Sequence, residues 1–554
     1  MNTFRIAGGM LCLPLMLGGC GGDDDRAPAA VAPVTAEQAC VALRGLAIPA
    51  TAIGLPSRGA KVVTADLQAP AGNGVAATPE HCKVIVHVES VDPTAPGVTA
   101  QVNLPTTWNR KVVQYGGGGL NGVVVTPTTD APGAPAQPVP LAAGYATFGS
   151  DGGHQVANAA DSEGQARAFL NDDVAANYGY ASVKRTHDVA LGLIKARYGA
   201  APQRVYFAGR SGGGREALAA VQKFPDDYDG VIALYPAGGG VARMLAWGQL
   251  SRALAAPGAY PNPAKRAVLH DAVVAACDAL DGAADGIVSN PAACRFDVQA
   301  LRCPAGAEQG DMCLSDPQIA ALDTIAADFT LPYALASKET GYPGLGIYRS
   351  GIQLNSPGSG MGTAAPITKR PAIGVHPGWN WLFDPIFRGT FAQNIDADSL
   401  AFDPKSPGGV IDRLNVWSTE FFVADPNLSR FMQRGGKLIL AHGKDDELVA
   451  PRWTENYYNS VVAAMGADAV NRFVRYFEVP GYGHGGGDFK MDWNSLAALD
   501  DWVEKGIAPD QPIATDVNTA TAGRTRPLCQ YPLWPKYAGS GDIHRAASFT
   551  CVRS

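Results

Sequence analysis

One serine in this chain has the surroundings that nucleophilic chemistry requires. Ser211 lies in Gly209-Arg210-Ser211-Gly212-Gly213, after an apolar run at 205–208 and before a helix-like stretch at 215–224. A strand, a tight turn carrying serine and a helix form a nucleophile elbow, whose flanking glycines prevent collisions with the neighbouring strand and helix. The pattern predicts a nucleophile at Ser211, the alternative being an ordinary serine in a glycine-rich connection.

A nucleophilic serine needs a base, and the base needs an acid that orients it. Two adjacent carboxylates, Asp445 and Asp446, follow a strand-like run at 437–441. The carboxyl ends of strands form the catalytic edge of an α/β sheet. Spacing alone leaves both carboxylates as candidates, and His442, which ends the strand, is interpreted as structural.

The candidate base is His484. It lies in the glycine-rich segment 480–487, directly after the strand-like run 475–479. The resulting chain order of serine, acid and histidine is the order found in α/β-hydrolases. Position in the chain, rather than residue type, therefore favours His484 over the other histidines.

Acyl transfer also needs two N–H donors for the oxyanion. The amide of Gly212, the residue after the nucleophile, supplies one. The run of four glycines at 116–119 follows a strand-like segment at 111–115 and is expected to supply the second, at Gly118 or a neighbour. A flexible hairpin or a phosphate loop is the alternative, but no Gly-Lys-Ser/Thr follows.

These motifs make the chain resemble the tannase and feruloyl esterase family, which includes mono(hydroxyethyl) terephthalate hydrolase-like enzymes. Further segments carry the resemblance: Asp151-Gly152-Gly153-His154, 224–232, the acidic segment 278–287 and the tail 527–551. The resemblance implies an α/β-hydrolase core with a large inserted lid. It also implies a triad of Ser211, Asp446 and His484, because the family's His-Gly-x-x-Asp pattern selects Asp446 over Asp445.

One departure from the family stands beside the catalytic residues. The family usually has cysteines just before the nucleophile and just after the histidine, joined as a disulfide, whereas this chain has Arg210 and Gly485. One hypothesis is that Arg210 replaces the covalent link with an ion pair to Asp445, Asp446 or another acid. The alternative is a solvated arginine, since exposed ion pairs contribute little.

The acidic segment 278–287 is a candidate metal site. Closely spaced carboxylates with glycines between them suit a hard cation that prefers oxygen ligands, although an acidic surface turn would have a similar composition. The resemblance implies structural calcium in the lid. Its ligands would be the carboxylates of Asp278, Asp281 and Asp285 and the backbone oxygens of Ala283 and Ile287.

Eight cysteines lie beyond residue 20, an even number typical of disulfides in an oxidising compartment. No Cys-x-x-Cys zinc spacing occurs. The pairing implied by the family resemblance joins neighbours along the chain: Cys40–Cys82, Cys277–Cys294, Cys303–Cys313 and Cys529–Cys551.

The N-terminus resembles an export signal. An apolar stretch follows Arg5, and Leu17-Gly18-Gly19-Cys20 resembles a bacterial lipoprotein box. We therefore expect a signal peptide at 1–19, lipidation of Cys20 and a flexible tether at 20–36, with anchoring in the bacterial envelope, at the outer membrane or periplasmic face. A signal cleaved slightly later would give a periplasmic or secreted protein.

Sequence patterns along the 554 residues predict an α/β core that a long segment interrupts. Strand and helix patterns alternate over 37–237 and again over 428–554, while 238–427 reads as an irregular, cysteine-bearing lid with the calcium site. The net charge of −7 and the lack of a basic stripe argue against nucleic-acid binding. Membrane contact is expected only through the lipid anchor, and the sequence does not set the oligomeric state.

The expected activity is hydrolysis of a small aromatic ester, as the resemblance implies for hydroxycinnamic, gallic or related acyl groups. Trp379 and Trp381 in the lid could stack on the acyl ring, or they could belong to the lid's own core. The same triad could serve other small or oligomeric esters. A surface-anchored binding lipoprotein with an inactive triad is the non-enzymatic alternative.

Overall fold

The computed structural model describes residues 34–553, so the expected signal peptide, Cys20 and most of the tether lie outside the described residues. A ten-stranded sheet forms the centre, in the spatial order β1-β2-β3-β4-β6-β5-β7-β8-β11-β12. The strands are β1 (Ala47–Ile48), β2 (Ala60–Gln68), β3 (His81–Val88), β4 (Val98–Pro105), β5 (Lys111–Tyr115), β6 (Ala146–Ser150), β7 (Arg204–Arg210), β8 (Gly230–Leu234), β9 (Phe329–Thr330), β10 (Gly341–Tyr342), β11 (Lys437–Gly443), β12 (Val474–Val479), β13 (Met491–Asp492), β14 (Ile513–Asp516), β15 (Thr525–Pro527), β16 (Leu533–Tyr537) and β17 (Phe549–Arg553).

The strands from β6 to β12 within this sheet run parallel, whereas β1 to β4 are antiparallel to their neighbours. The four predicted strands at the catalytic edge are all present, as β5, β7, β11 and β12. Since these strands are parallel, the loops that follow them meet at the same edge of the sheet. The sheet confirms the predicted α/β-hydrolase core.

Helices cover both faces of this sheet. They are α1 (Ala36–Val41), α2 (Ser162–Ala168), α3 (Asp172–Ala176), α4 (Ser182–Tyr198), α5 (Gly212–Lys223), α6 (Gly240–Ala255), α7 (Pro263–Cys277), α8 (Asp316–Ala326), α9 (Gly378–Ile386), α10 (Ile411–Glu420), α11 (Ser429–Gln433), α12 (Pro451–Met465), α13 (Ala467–Asn471) and α14 (Ser495–Lys505), with π-helical turns at Asn177–Ala181 and Phe387–Phe391. The helix α5 begins directly after Ser211, three residues earlier than the sequence pattern predicts.

Alternate residues of the central strands supply two separate apolar cores. In β7, Phe207 packs in one core and Tyr206 in the other, and Leu440 and Ile439 of β11 divide in the same way. This follows from the two-residue repeat of a strand. Continuous apolar runs are therefore required here, because both faces of the parallel strands are covered.

Residues 238–427, called the insert below, lie between β8 and β11. The insert contains α6 to α10 and the short pair β9–β10, so the expectation of an irregular segment is wrong for much of it. Capping residues that the sequence analysis did not use mark two of these helices. The side chain of Asn262 caps α7, and Ser315 with Gln318 forms a capping box on α8.

The four predicted disulfides are all present: Cys40–Cys82, Cys277–Cys294, Cys303–Cys313 and Cys529–Cys551. None of these disulfides includes position 210 or 485. The four disulfides therefore do not bear out the expectation that a missing cysteine pair distinguishes this chain from its family. From residue 36 onward the chain forms one compact unit. Among residues 34–553, no helix combines the length and apolarity needed to cross a membrane.

Candidate active site

The nucleophile elbow is strained in the way that the glycine pattern predicts. Ser211 has a φ of 57° and a ψ of −121°, a conformation that side-chain-bearing residues rarely adopt. A Cβ added to Gly209 would lie 2.0 Å from the carbonyl oxygen of Gly213. The turn therefore needs glycine for close backbone approach, and it lifts Ser211 above the edge of the sheet.

The structure brings Ser211, His484 and Asp446 together from three different loops. The Nε2 atom of His484 lies 2.8 Å from Oγ of Ser211, and its Nδ1 atom lies 2.8 Å from Oδ2 of Asp446. The ring of Tyr235 packs against His484 with a centroid separation of 4.6 Å. This is the geometry of a serine activated by a histidine that an acid holds in one tautomer.

The surroundings of the two candidate acids differ sharply. Burial would raise the pKa of Asp446, but the charge of His484 and hydrogen bonds from His442 and His484 hold that pKa well below its usual range. Burial, reinforced by the charge of Asp488, raises the pKa of Asp445 to about 7. Asp446 therefore remains ionised and can stabilise a positively charged His484.

His442 supports the acid from the other side. It is fully buried, with Nδ1 2.8 Å from Oγ1 of Thr454 and Nε2 3.2 Å from Oδ2 of Asp446. The other oxygen of Asp446 accepts the amides of Leu448 and Val449, at 2.8 and 2.7 Å. These contacts fix the carboxylate in place and keep its charged form.

The glycine loop after β5 lies directly against the elbow. A Cβ on Gly212 would come within 2.9 Å of the carbonyl oxygens of Gly117 and Gly119. Glu216 accepts the amide of Gly117 at 3.0 Å, so that donor is already used. The amides of Gly118 and Gly212 make no hydrogen bond to other described residues, which leaves both open to an oxyanion.

Glu447 is a functional candidate that sequence reasoning missed. It is 1% exposed, and its Oε2 atom accepts the backbone amide of His484 at 3.1 Å. Its other oxygen accepts a short hydrogen bond from Oγ of Ser359 in the insert. Glu447 therefore joins the insert to the histidine loop. The run Asp445-Asp446-Glu447 carried a visible signal, but spacing could not assign separate partners to three adjacent acids.

The variant Glu447→Gln should move the acid limb of the kcat/KM profile to lower pH. Burial lowers the pKa of His484, but Asp446 and Glu447 outweigh it and raise this pKa, with Arg243 opposing them. Glutamine keeps an acceptor for the amide but removes a charge that favours the imidazolium, so neutral histidine persists to lower pH. The exposed Glu89→Gln is the control, and an acid limb that stays in place or moves upward would contradict this role.

Arg210 pairs with an acid other than the two beside the triad. Its Nη1 and Nη2 atoms lie 3.1 and 3.2 Å from Oδ2 and Oδ1 of Asp130, in a two-pronged ion pair. Asp130 lies on the segment that follows the glycine loop. The pair therefore connects the elbow to the segment after β5 rather than to the histidine loop.

The two candidate tryptophans have different surroundings. Trp379 is 1% exposed and belongs to the large apolar core. Trp381 is half-buried, donates from Nε1 to the carbonyl of Gly358 at 3.1 Å, and lies against Gly119, where an added Cβ would be 3.5 Å from its ring. Of the two, Trp381 is placed to meet a ligand near the glycine loop.

The candidate calcium ligands gather in one bent loop. The carboxylate of Asp278 accepts the amides of Asp285, Gly286 and Ile287, and that of Asp281 accepts those of Ala283 and Ser289. Burial raises the pKa of Asp281 and Asp285, and neighbouring acids in the loop add to the effect.

These residues fit a divalent cation. Asp285 forms an ion pair with Arg526, and Arg524 donates to the backbone carbonyl of Asp285 at 2.9 Å, whereas the carboxylates of Asp278 and Asp281 accept backbone amides. The carbonyl oxygens of Ala283 and Ile287 accept no hydrogen bond from other described residues, although both residues are buried. Two free carbonyls beside excess negative charge form a donor set that suits calcium.

A second cluster of possible metal ligands is already neutralised. His187, Asp188 and Asp227 bring their ligand atoms within 4.8 Å of one another. Lys184 donates to Asp188 at 2.9 Å and to Asp227 at 2.8 Å. This cluster is therefore an ion-pair network.

The family model and the relatives that this chain matches are all esterases or ester hydrolases. The family described as "Tannase and feruloyl esterase" matches residues 82–552. An uncharacterized esterase of Agrobacterium fabrum is 40% identical over 94% of each chain. Mono(2-hydroxyethyl) terephthalate hydrolase of Piscinibacter sakaiensis is 33% identical over 87% of each.

Two solved structures share the fold. Feruloyl esterase B from Aspergillus oryzae aligns with a TM-score of 0.74 at 22% identity, over 94% of this chain and all of that one. Tannin acyl hydrolase from Aspergillus niger aligns with a TM-score of 0.69 at 20% identity, over 94% and 96%. At these identities the likeness establishes the α/β-hydrolase fold alone.

Proposed function

Because the chain belongs to the tannase and feruloyl esterase family and is a carboxylic-ester hydrolase, we propose that it cleaves esters of hydroxycinnamic, gallic or related aromatic acids. Ser211, His484 and Asp446 would carry the reaction. The observation that supports this most strongly is the pair of 2.8 Å contacts that His484 makes with Ser211 and Asp446.

The proposed reaction proceeds through an acyl-enzyme. Oγ of Ser211 attacks the ester carbonyl while Nε2 of His484 takes its proton, and Asp446 stabilises the imidazolium. The amides of Gly118 and Gly212 receive the negative oxygen of the tetrahedral intermediate. His484 then gives the proton to the leaving alcohol, and a water activated by the same histidine releases the acid.

An aromatic acyl group is favoured by the insert side of the site. Trp381 lies against the glycine loop and is half-buried, so a ring bound near the oxyanion position could stack on it. The relative from Piscinibacter sakaiensis is named for a terephthalate monoester, which keeps that narrower class within the proposal. An esterase for other small or oligomeric esters remains the second candidate, because the triad itself does not select an acyl group.

A substrate panel tests the proposal. Methyl ferulate, methyl gallate, mono(2-hydroxyethyl) terephthalate and p-nitrophenyl butyrate would each be offered to the wild-type protein. Preferential hydrolysis of one aromatic ester supports the assignment and names its acyl group. Hydrolysis of the butyrate alone would overturn the aromatic assignment but keep the esterase, and no hydrolysis would favour an inactive binding lipoprotein.

We also propose that the loop 278–287 holds structural calcium and that the protein is exported, with Cys20 as a lipid anchor. The acidic donor set supports the first point. The four disulfides support export, since such bonds persist in oxidising compartments. Metabolic labelling with a palmitate analogue, compared with Cys20→Ser, tests the anchor.

Removing calcium should lower the melting temperature. A cation that binds the folded chain stabilises it by mass action, and here it would also relieve repulsion among buried carboxylates. We expect EDTA to lower the melting temperature by several degrees, added calcium to restore it, and Asp281→Asn to abolish this response. The exposed Asp542→Asn is the control. If neither EDTA nor added calcium changes the melting temperature of the wild-type protein, the calcium assignment is contradicted.

A further inference from the structure

The free amide of Gly118 belongs to a residue with open space beside its Cα atom. Gly118 and Ser211 line the same cavity, and a Cβ added to Gly118 would meet no atom within 4 Å. The N–H group makes no hydrogen bond to other described residues, although an oxyanion donor has to be in place before the reaction begins. The residues on either side of Gly118 must therefore hold this N–H in position.

Glu216 of α5 holds the residue that precedes Gly118. Its Oε2 atom accepts the amide of Gly117 at 3.0 Å. The peptide group between Gly117 and Gly118 is planar and turns as a unit, so fixing Gly117 limits the directions that the N–H of Gly118 can take. The carbonyl oxygen of the same peptide lies 2.9 Å from the position of a Cβ on Gly212, which shows how closely it packs against the elbow.

The same carboxylate reaches the other end of the turn. Nδ2 of Asn121 donates to Oε1 of Glu216 at 3.4 Å. The backbone amide of Asn121 in turn donates to the carbonyl of Gly118 at 3.0 Å. Asn121 is buried and has a φ of 60°, a conformation in which its side chain needs a partner close to the backbone. One side chain is thus tied to the segment before and after the free amide.

Glu216 also connects the two oxyanion donors to each other. It is 6% exposed and lies on α5, the helix that begins with Gly212, whose amide is the other donor. Burial raises the pKa of Glu216 to about 7, while Arg215 and the hydrogen bonds from Gly117 and Asn121 oppose this effect. A carboxyl group keeps an acceptor oxygen whether it is ionised or protonated, so the contact with Gly117 is available on both sides of that pH.

We propose that Glu216 is the positioning residue of the oxyanion site, and that it holds the segment 117–121 against α5 so that the amides of Gly118 and Gly212 meet at the negative oxygen. The inference rests on the proposed esterase function and adds a residue to its mechanism. Glu216 does not act on the ester itself, because its hydrogen bonds among the described residues go to Gly117 and Asn121.

A pair of esters measures the oxyanion site directly. The ester that the panel above shows to be hydrolysed best is compared with its thiono analogue, in which sulfur replaces the carbonyl oxygen. Sulfur is larger than oxygen and a weaker hydrogen-bond acceptor, so it gains less from donors placed for an oxyanion. The ratio of kcat/KM for the two esters is divided by the ratio of their rates with hydroxide. We expect the wild-type protein to give a quotient of about 100 or more.

Two variants of Glu216 separate its acceptor oxygen from its volume. Glu216→Leu fills a similar space without an acceptor, whereas Glu216→Gln keeps an acceptor for the amide of Gly117. In Glu216→Leu we expect kcat for the oxo ester to fall about tenfold or more with little change in KM, because a misplaced donor fails the transition state. The thiono ester should lose less, so the quotient should fall as well, and Glu216→Gln should retain most of it.

Glu504→Ala is the control for the loss of a partly buried acid. Glu504 pairs with Arg204, which begins β7 at the end opposite Ser211, so this variant should keep the wild-type quotient. Thermal unfolding checks that each variant is folded. If Glu216→Leu does not fold, Glu216→Ala replaces it with the same expectation. Because both esters are measured on the same preparation, a smaller folded fraction does not change the quotient.

The outcomes separate the two proposals. If Glu216→Leu keeps the wild-type quotient, including the case in which both esters are slowed equally, the positioning role is overturned and the esterase stands. A wild-type quotient close to one would overturn the inference in the same way, because the two amides would then not act on the oxyanion. If the wild type hydrolyses neither ester, the proposed function itself fails, and the inference fails with it.

Discussion

Replacing Ser211 with alanine should reduce kcat about 10⁵-fold or more on every ester that the protein hydrolyses. The serine supplies the atom that bonds to the acyl carbon, and triad members act as a unit, so removing one removes nearly the whole effect. The remaining rate would come from the oxyanion donors and from binding. Initial rates at saturating substrate, with protein purified from a host lacking related esterases, measure the loss.

Two controls accompany the measurement on Ser211→Ala. Ser540→Ala alters an exposed serine remote from the site and should retain full activity. Thermal unfolding of Ser211→Ala should resemble that of the wild type, because alanine keeps the Cβ and therefore the same backbone strain at position 211. Retention of more than a few per cent of the rate in Ser211→Ala would show that another group performs the chemistry.

Asp446→Asn should lower kcat by about 10⁴-fold, the order seen when an asparagine leaves the base in the wrong tautomer. The side chain lies 2.8 Å from Nδ1 of His484 and is fully buried, so neither water nor another residue can replace it. The neighbouring Asp445→Asn is the matched control. It makes the same chemical change one residue away, at a side chain that forms no hydrogen bond to His484.

This comparison also resolves the choice that spacing left open. A large loss in Asp446→Asn with a small one in Asp445→Asn is the expected result. Equal losses would indicate that both acids influence His484 through their charge, and a larger loss in Asp445→Asn would reverse the assignment. The rates should be followed across pH, because burial and Asp488 raise the pKa of Asp445 to about 7.

The parts of the site that the sequence predicted share one property: backbone geometry dictates their residue types. The elbow needs glycine at 209 because a Cβ would meet the backbone of Gly213. The acid and the histidine follow strands, and parallel strands bring their ends to one edge. Such constraints can be read along the chain without knowing which distant residues meet.

The parts that the sequence could not supply depend on contacts between remote segments. Asp130 and Arg210 are 80 residues apart, and Glu447 meets Ser359 from the insert. Asp and Glu are common on surfaces, so residue type gives no reason to pair them in advance. Trp379 and Trp381 were equivalent in the sequence, and only the rotation of α9 separates the buried ring from the one beside Gly119.

The most direct test of the central claim is covalent labelling with a fluorophosphonate, followed by peptide mass analysis. If Ser211 is the nucleophile activated by His484, the wild-type protein should gain one equivalent of label, located on the peptide that contains Ser211. Ser211→Ala should gain none, and Asp446→Asn should react far more slowly. A wild-type protein that remains unlabelled while folded, or label on a different serine, would contradict the account.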